Sequence, residues 1–202
     1  LPAPDVPARV GILGGTFDPP HVGHLAAARA AIDALGLDRL LLVVANDPWQ
    51  KSGSRRVSPA EDRYALTEAL AQQIPAAEAS RLELDRGGPS YSVDTAEEVR
   101  ATTPGLLDLF LVVGADLAPE LDSWHRPDVL KRLVTVAVVS RPSGTAAGVP
   151  PGWRAIRVDG PQVAVSSSEV RERLAAGEPV GGLVPESVIR CIERRALYAV
   201  GR

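Results

Sequence analysis

Methionine is absent from all 202 residues, cysteine occurs once and histidine three times. A lone Cys191 excludes an internal disulfide and fits a reducing compartment, so a cytoplasmic location is expected. On a helix of apolar spacing, Cys191 reads as a small core residue. No apolar run approaches the roughly 20 residues of a membrane span. The opening LPAPDVPAR lacks a basic stretch followed by an apolar one, so no secretory pattern is expected. A net charge of −3 offers nothing to draw nucleic acid or an anionic membrane. No internal repeat and no long charge block occurs. There is no G-K-[ST] to make a Walker loop and no G-x-G-x-x-G to make a site for a hydride-transfer cofactor.

What is present is a chain with 45% apolar residues, enough for a sizeable core. Apolar runs alternate with helical patterns. ARVGIL, RLLLVVA (Arg39 to Ala45), RLELD, LLDLFLVVGAD, VTVAVVS and the weaker WRAIRVD read as strands. His21 to Leu35 reads as a helix ending near Gly36. SPAEDRYALTEALAQQI reads as a second, with Ser58 as N-cap, Pro59 at its first position and Glu61 completing a capping box. SVDTAEEVRAT, RPDVLKRL, SSSEVRERLAAG and PESVIRCIERRALY supply the rest, and RPSGTAAGVPPG from Arg141 reads as a loop. Repeated strand–helix units predict an α/β fold: a Rossmann-like, doubly wound, mostly parallel sheet with a C-terminal helical segment. Residues 1–8 read as a flexible tail and 9–202 as one domain.

Directly after the first strand stands GGTFDPPHVGHL, Gly14 to Leu25, which holds two of the three histidines. Gly14 and Gly15 let backbone approach a ligand closely. Pro19 and Pro20 stiffen the entry into the next helix. His21 and His24 lie on one face of its first turn. Unpaired amides and the dipole favour phosphate there, and imidazoles can donate to phosphate oxygens. A plain strand–turn–helix connection would need a glycine or a proline but not both histidines. A metal site from His21, His24, His125 and Cys191 would leave the glycines and prolines unexplained.

G-G-T-F-D-P-P-H-V-G-H resembles the signature of the nucleotidyltransferase superfamily, whose core is H-x-G-H, here His21, Val22, Gly23 and His24. Val165-Ser-Ser-Ser-Glu-Val-Arg171 resembles its second signature, I-S-S-T-x-[IL]-R, with Val165 for Ile and Ser168 for Thr. Gly114-Ala115-Asp116, followed by Trp124, resembles a third element. GGPSYSVDT, Gly87 to Thr95, resembles the G-x-[ST]-Y-T-x-D-T element of the bacterial nicotinate-mononucleotide adenylyltransferases. The resemblance spans nearly the whole chain. It implies transfer of an adenylyl group from ATP to nicotinate mononucleotide, with Mg²⁺ accompanying ATP and pyrophosphate leaving. The implied partners are these small molecules alone, with no nucleic acid and no membrane; whether copies assemble into a homo-oligomer stays open.

The resemblance also implies roles. His24 stabilises the transferring phosphoryl group, with His21 on the other phosphates and Arg171 adding charge. Gly14, Gly15, Thr16 and Phe17 hold the α-phosphate region through backbone and hydroxyl, and Ser167 and Ser168 serve the β- and γ-phosphates. Asp18 shapes the turn. Asp116 accepts bonds from ribose or adenine, unless it is only a helix cap. Ser166-x-x-Glu169 also fits a simple capping box. For the mononucleotide, Trp124 stacks on the pyridine ring or packs in the core. Thr95 and its amide, with Tyr91 nearby, favour a carboxylate at a helix start. Asn46, Trp49 and Lys51 follow the second strand at the same sheet edge, where Lys51 would pair with the mononucleotide phosphate. The loop they open is either a mobile lid or a solvated connection. Two other readings compete: another superfamily member, such as one acting on phosphopantetheine, and a nucleotide-binding sensor without turnover.

Overall fold

The computed structural model describes residues 6–47, 57–140, 148–160 and 163–198. Strands β1 (Ala8–Gly15), β2 (Arg39–Val44), β3 (Ala77–Ser80), β4 (Leu107–Gly114), β5 (Thr135–Ser140) and β6 (Ala155–Asp159) make one sheet, ordered β3-β2-β1-β4-β5-β6. Every neighbouring pair is parallel. The helices are α1 (Val22–Leu35), α2 (Ala60–Ala71), α3 (Leu82–Arg86), α4 (Ser92–Thr102), α5 (Pro127–Leu133), α6 (Ser167–Ala175) and α7 (Glu186–Arg195), with a 3₁₀ turn at Ala118–Ser123. None of them is long and apolar enough to cross a membrane.

The central strands are apolar at nearly every position because both faces of the sheet are covered. Alternate residues serve different cores. Leu40, Leu42, Val44, Phe110 and Val112 join Ala28 and Ala31 of α1, Leu66 and Leu70 of α2, and Val188 and Ile192 of α7. Val10, Ile12, Leu41, Val43, Leu109 and Leu111 join Val93, Ala96 and Val99 of α4 and Leu130 of α5. Cys191, 1% exposed, lies in the first core, where the sequence puts it.

The chain winds outward from β1 in one direction through β2 and β3, and in the other through β4, β5 and β6. Strand order therefore reverses between β1 and β4. Beyond their carboxyl ends the loops diverge, leaving a crevice for ligands.

Some local expectations are corrected. RLELD is not a strand but the short helix α3. Its leucines alternate as a strand's would, yet Ala77–Ser80 already completes the pairing with β2, from Leu40↔Ala77 to Val43↔Ser80. Ser58 is not the cap of α2: Pro59 holds that position with no side-chain cap, and the Ser58 amide reaches toward an Asp18 carboxylate oxygen at 3.4 Å. Helix α4 is capped by Tyr91 through its backbone alone. The tail expected over 1–8 gives up Ala8, which opens β1. Of the Arg141 loop, residues 141–147 lie outside the described residues.

Candidate active site

A cleft of about 600 Å³ opens at the β1/β4 reversal, within the range of small-molecule sites. Its floor is the turn from β1 into α1. His21 is the N-cap of α1 in extended conformation. Its Nδ1 accepts from the Gly23 amide (3.2 Å), and the His24 Nδ1 accepts from the His21 amide (3.2 Å). This is a capping box built from two imidazoles, in place of the usual Ser or Thr and Glu. With Nδ1 of each ring accepting an amide N–H, Nε2 is the ring nitrogen that can donate. The rings lie 3.9 Å apart, and His24 leans on Phe17 at 5.0 Å. A Cβ at Gly23 would come within 3.0 Å of the His21 ring, so glycine is what lets the histidines close on each other. A Cβ at Gly15 would meet the Phe17 ring at 2.9 Å. Phe17 is 1% exposed and holds φ at +51°, unusual for a residue with a side chain.

Polar groups from distant segments hold this turn from behind. Arg63 of α2 is 2% exposed. Its guanidinium donates to the carbonyls of Ser58 (2.9 Å), Thr16 (3.0 Å), Ala45 (2.7 Å) and Asn46 (3.4 Å). It thereby joins the ends of β1 and β2. Burial pulls its pKa below the usual guanidinium value, with the Asp18 carboxylate opposing. The Asp18 carboxylate accepts from the Tyr198 phenol (2.8 Å) and the Ser58 amide (3.4 Å). Burial alone would raise its pKa. The hydrogen bonds, with the charge of Arg171, outweigh burial and hold it below the ordinary carboxylate value. Burial and the adjacent carboxylate push the Tyr198 phenol up.

The late signature docks onto the early one. The Ser166 hydroxyl caps α6 by accepting from the Glu169 amide (3.2 Å). Ser167 lines the cleft and donates its hydroxyl to the Pro19 carbonyl (2.9 Å). Arg171 donates to the Asp18 carbonyl (2.5 Å) and to the Ser168 hydroxyl (2.9 Å).

The opposite wall is aromatic. Tyr91 and His125 stack with ring centroids 4.1 Å apart and planes at 24°. Trp124 lines the cleft beside them, and its buried indole N–H has no hydrogen-bond partner. Gly114 and Asp116 close the end over β4. Ser92 and Val93, the first residues of α4, also face the cleft.

Residues 12–173 match the family model described as cytidylyltransferase-like. The chain belongs to the cytidylyltransferase-like family. A "Probable nicotinate-nucleotide adenylyltransferase" of Streptomyces coelicolor is 43% identical over 188 residues, covering 92% of this chain and 98% of the relative. A protein of the same name from Saccharopolyspora erythraea is 41% identical over 192 residues, covering 94% and 89%. Among solved structures, the Plasmodium falciparum nicotinic acid mononucleotide adenylyltransferase complexed with NaAD superposes with a TM-score of 0.76. It is 15% identical and covers 95% of this chain and 97% of its own. At that identity the likeness is one of fold.

Within this cytidylyltransferase-like domain, most of the residues singled out in the sequence meet at the cleft: Gly14, Gly15, Thr16, Phe17, His21 and His24 on one side, Ser167 above them, and Tyr91, Asp116 and Trp124 opposite. Others do not line it. Thr95 is fully buried. Its hydroxyl donates to Glu83 (2.7 Å) and accepts from Arg86 (3.1 Å), and its amide is bonded to the Tyr91 carbonyl (3.3 Å). Thr95 therefore does not line the cleft, whereas the first residues of α4, Ser92 and Val93, do. Asn46 ties β2 to the loop before α4, through its amide to Ser90 Oγ (2.8 Å) and its side chain to the Gly88 carbonyl (2.9 Å). Ser168 and Arg171 bind each other behind Ser167. Asp116 caps no helix; Leu117 is the N-cap of the 3₁₀ turn. Trp49 and Lys51 lie outside the described residues.

Sequence reasoning passed over Arg63, Tyr198 and Glu83. Arg63 did leave a signal: it shares the buried stripe of α2 with Leu66, Thr67 and Leu70, where a charge demands partners. Among the described residues, no group of three or more His, Cys, Asp and Glu is placed to hold a metal. Of the carboxylates lining the cleft, Asp18 already accepts from Tyr198 and Glu83 from Thr95, which leaves Asp116 facing the cleft. That donor set suits a cation carried on phosphate oxygens, not one with its own protein cage.

Proposed function

We propose that this chain transfers the adenylyl group of ATP to nicotinate mononucleotide, forming nicotinate adenine dinucleotide and pyrophosphate, a step in making NAD. The observation that carries the reading is the reciprocal imidazole pair at the start of α1, facing an aromatic wall across a cleft of nucleotide size. The names of relatives some 40% identical over nine-tenths of the chain support it.

The chemistry follows from the charges. A phosphate oxygen of the mononucleotide is already anionic and needs no base. It attacks the α-phosphorus of ATP, and the bond from that phosphorus to the bridging oxygen breaks as pyrophosphate departs. Two polyanions must be brought into line and the charge on the leaving group offset, so positioning and electrostatics dominate. His24 and His21 donate Nε2–H to the phosphate oxygens as charge shifts toward pyrophosphate. Backbone of residues 14–17 takes the α-phosphate close. Ser167, at the N-terminus of α6, serves the outer phosphates, and Arg171 adds positive charge behind it. A divalent cation, Mg²⁺ in this reading, would ride on the triphosphate and neutralise part of its charge.

On the other wall, Trp124 and Tyr91 take the pyridine ring. The free carboxylate of nicotinate meets the first amides of α4, at Ser92 and Val93, where the helix dipole favours an anion. Asp116 serves the adenosine end.

The test supplies ATP and Mg²⁺ with a panel of acceptors and follows pyrophosphate. Release with nicotinate mononucleotide is expected. Release only with phosphopantetheine would move the chain to another acceptor, and ATP binding without release would make it a sensor.

A further inference from the structure

We propose that Tyr198 is a positioning residue for this reaction: its phenol, brought back by the segment after α7, holds the Asp18 carboxylate and thereby fixes the turn that aims His21 and His24. The inference rests on the adenylyl-transfer reading of the cleft.

Tyr198 and Asp18 are 180 residues apart in sequence and 2.8 Å apart at their oxygens. Asp18 is 1% exposed and stands three residues before His21. The turn it belongs to has no regular secondary structure to keep its shape. Phe17 sits in the left-handed region, which a residue with a side chain adopts only when its surroundings enforce it. Each neighbour of Phe17 is gripped from elsewhere. Arg63 takes the carbonyl of Thr16, and Arg171 that of Asp18. The Tyr198 phenol takes the one group of the turn with a full charge, which the Ser58 amide shares from the other side. A hydrogen bond to a buried carboxylate is stronger than one between neutral groups. Loss of the phenol removes one of the hydrogen bonds that set the carboxylate's orientation, beside those from Ser58, and a turn of the carboxylate is passed to the residues between Asp18 and His21. A displacement of about 1 Å at the reacting groups costs up to about 100-fold in rate. The aromatic wall stands at the N-cap of α4 and between the 3₁₀ turn and α5, away from the Tyr198–Asp18 bond, so mononucleotide binding is spared.

The experiment compares wild type, Tyr198→Phe, Asp18→Asn and the double variant by steady-state pyrophosphate release, with thermal melting as a check of folding. Tyr198→Phe removes one oxygen and adds no bulk. It is expected to lower kcat about tenfold with KM for nicotinate mononucleotide unchanged. Asp18→Asn is expected to do the same, and the double variant to fall no further than the worse single one, because both act through one bond. A Tyr198→Phe enzyme whose kcat per folded molecule stays within about twofold of wild type overturns the proposal, even if it melts earlier. So do losses that multiply in the double variant. Wild type that releases no pyrophosphate from ATP and nicotinate mononucleotide overturns the parent reading and this inference together; an active wild type with an unaffected variant overturns the inference alone.

Discussion

On the floor of the cleft nearly every polar group has a partner within the protein: His21 and His24 cap one helix between them, Ser167 is bonded to Pro19, and Arg171 to Asp18. On the facing wall the indole N–H of Trp124 is buried with no partner, and Tyr91 and His125 stack face to face. The difference matches the two jobs. Charge stabilisation requires donors set in place before the reaction, since reorganising them during it is costly. Recognition of a planar ring tolerates surfaces that await the ligand. Damage to the floor should therefore appear in kcat, and damage to the wall in KM.

The sharpest way to break the comparison is His24→Ala, which removes an Nε2–H donor and the acceptor for the His21 amide. A fall in kcat of about 10²–10³-fold is expected, with KM for the mononucleotide little changed. Initial rates over both substrates would show it, and a change confined to KM would erase the distinction between floor and wall. Arg63→Met tests how the floor is held. It keeps most of the length but leaves four carbonyls without their donor, so about 3 kcal/mol of stability should be lost, measured by urea unfolding. Trp124→Ala probes the wall. KM for the mononucleotide should rise about tenfold, in line with a lost aromatic contact, while kcat falls by less.

The smallest effect is a pH dependence. Asp18 ionises more readily in the folded chain than in the unfolded one. Its contribution to stability is thus complete above the unfolded carboxyl value near 4 and is lost as pH falls through the lower folded value. The melting temperatures of wild type and Asp18→Asn should differ at pH 6 and converge toward pH 3.

The fold was largely legible, because long apolar strands and helices of 3.6 periodicity leave strong patterns. The histidine turn was legible too, because its residues are rare and adjacent. What escaped was short or distant. AEAS is too weakly apolar to announce β3, so the alternating leucines of RLELD took its place. Arg63 meets the Thr16 carbonyl across 47 residues and Tyr198 meets Asp18 across 180, and no local pattern encodes such pairs. Thr95 differs in kind. It opens a helix in sequence, but its face of that helix turns inward toward Glu83.

The solitary thiol gains a use from its location. Cys191 is sealed in the core on the buried face of α7, a few residues ahead of Tyr198. A thiol reagent can reach it only when that helix lifts from α2, and lifting the helix carries the Tyr198 segment away from the histidine turn. The rate of labelling is thus a built-in clock for undocking of the C-terminal end, and it needs no engineered probe.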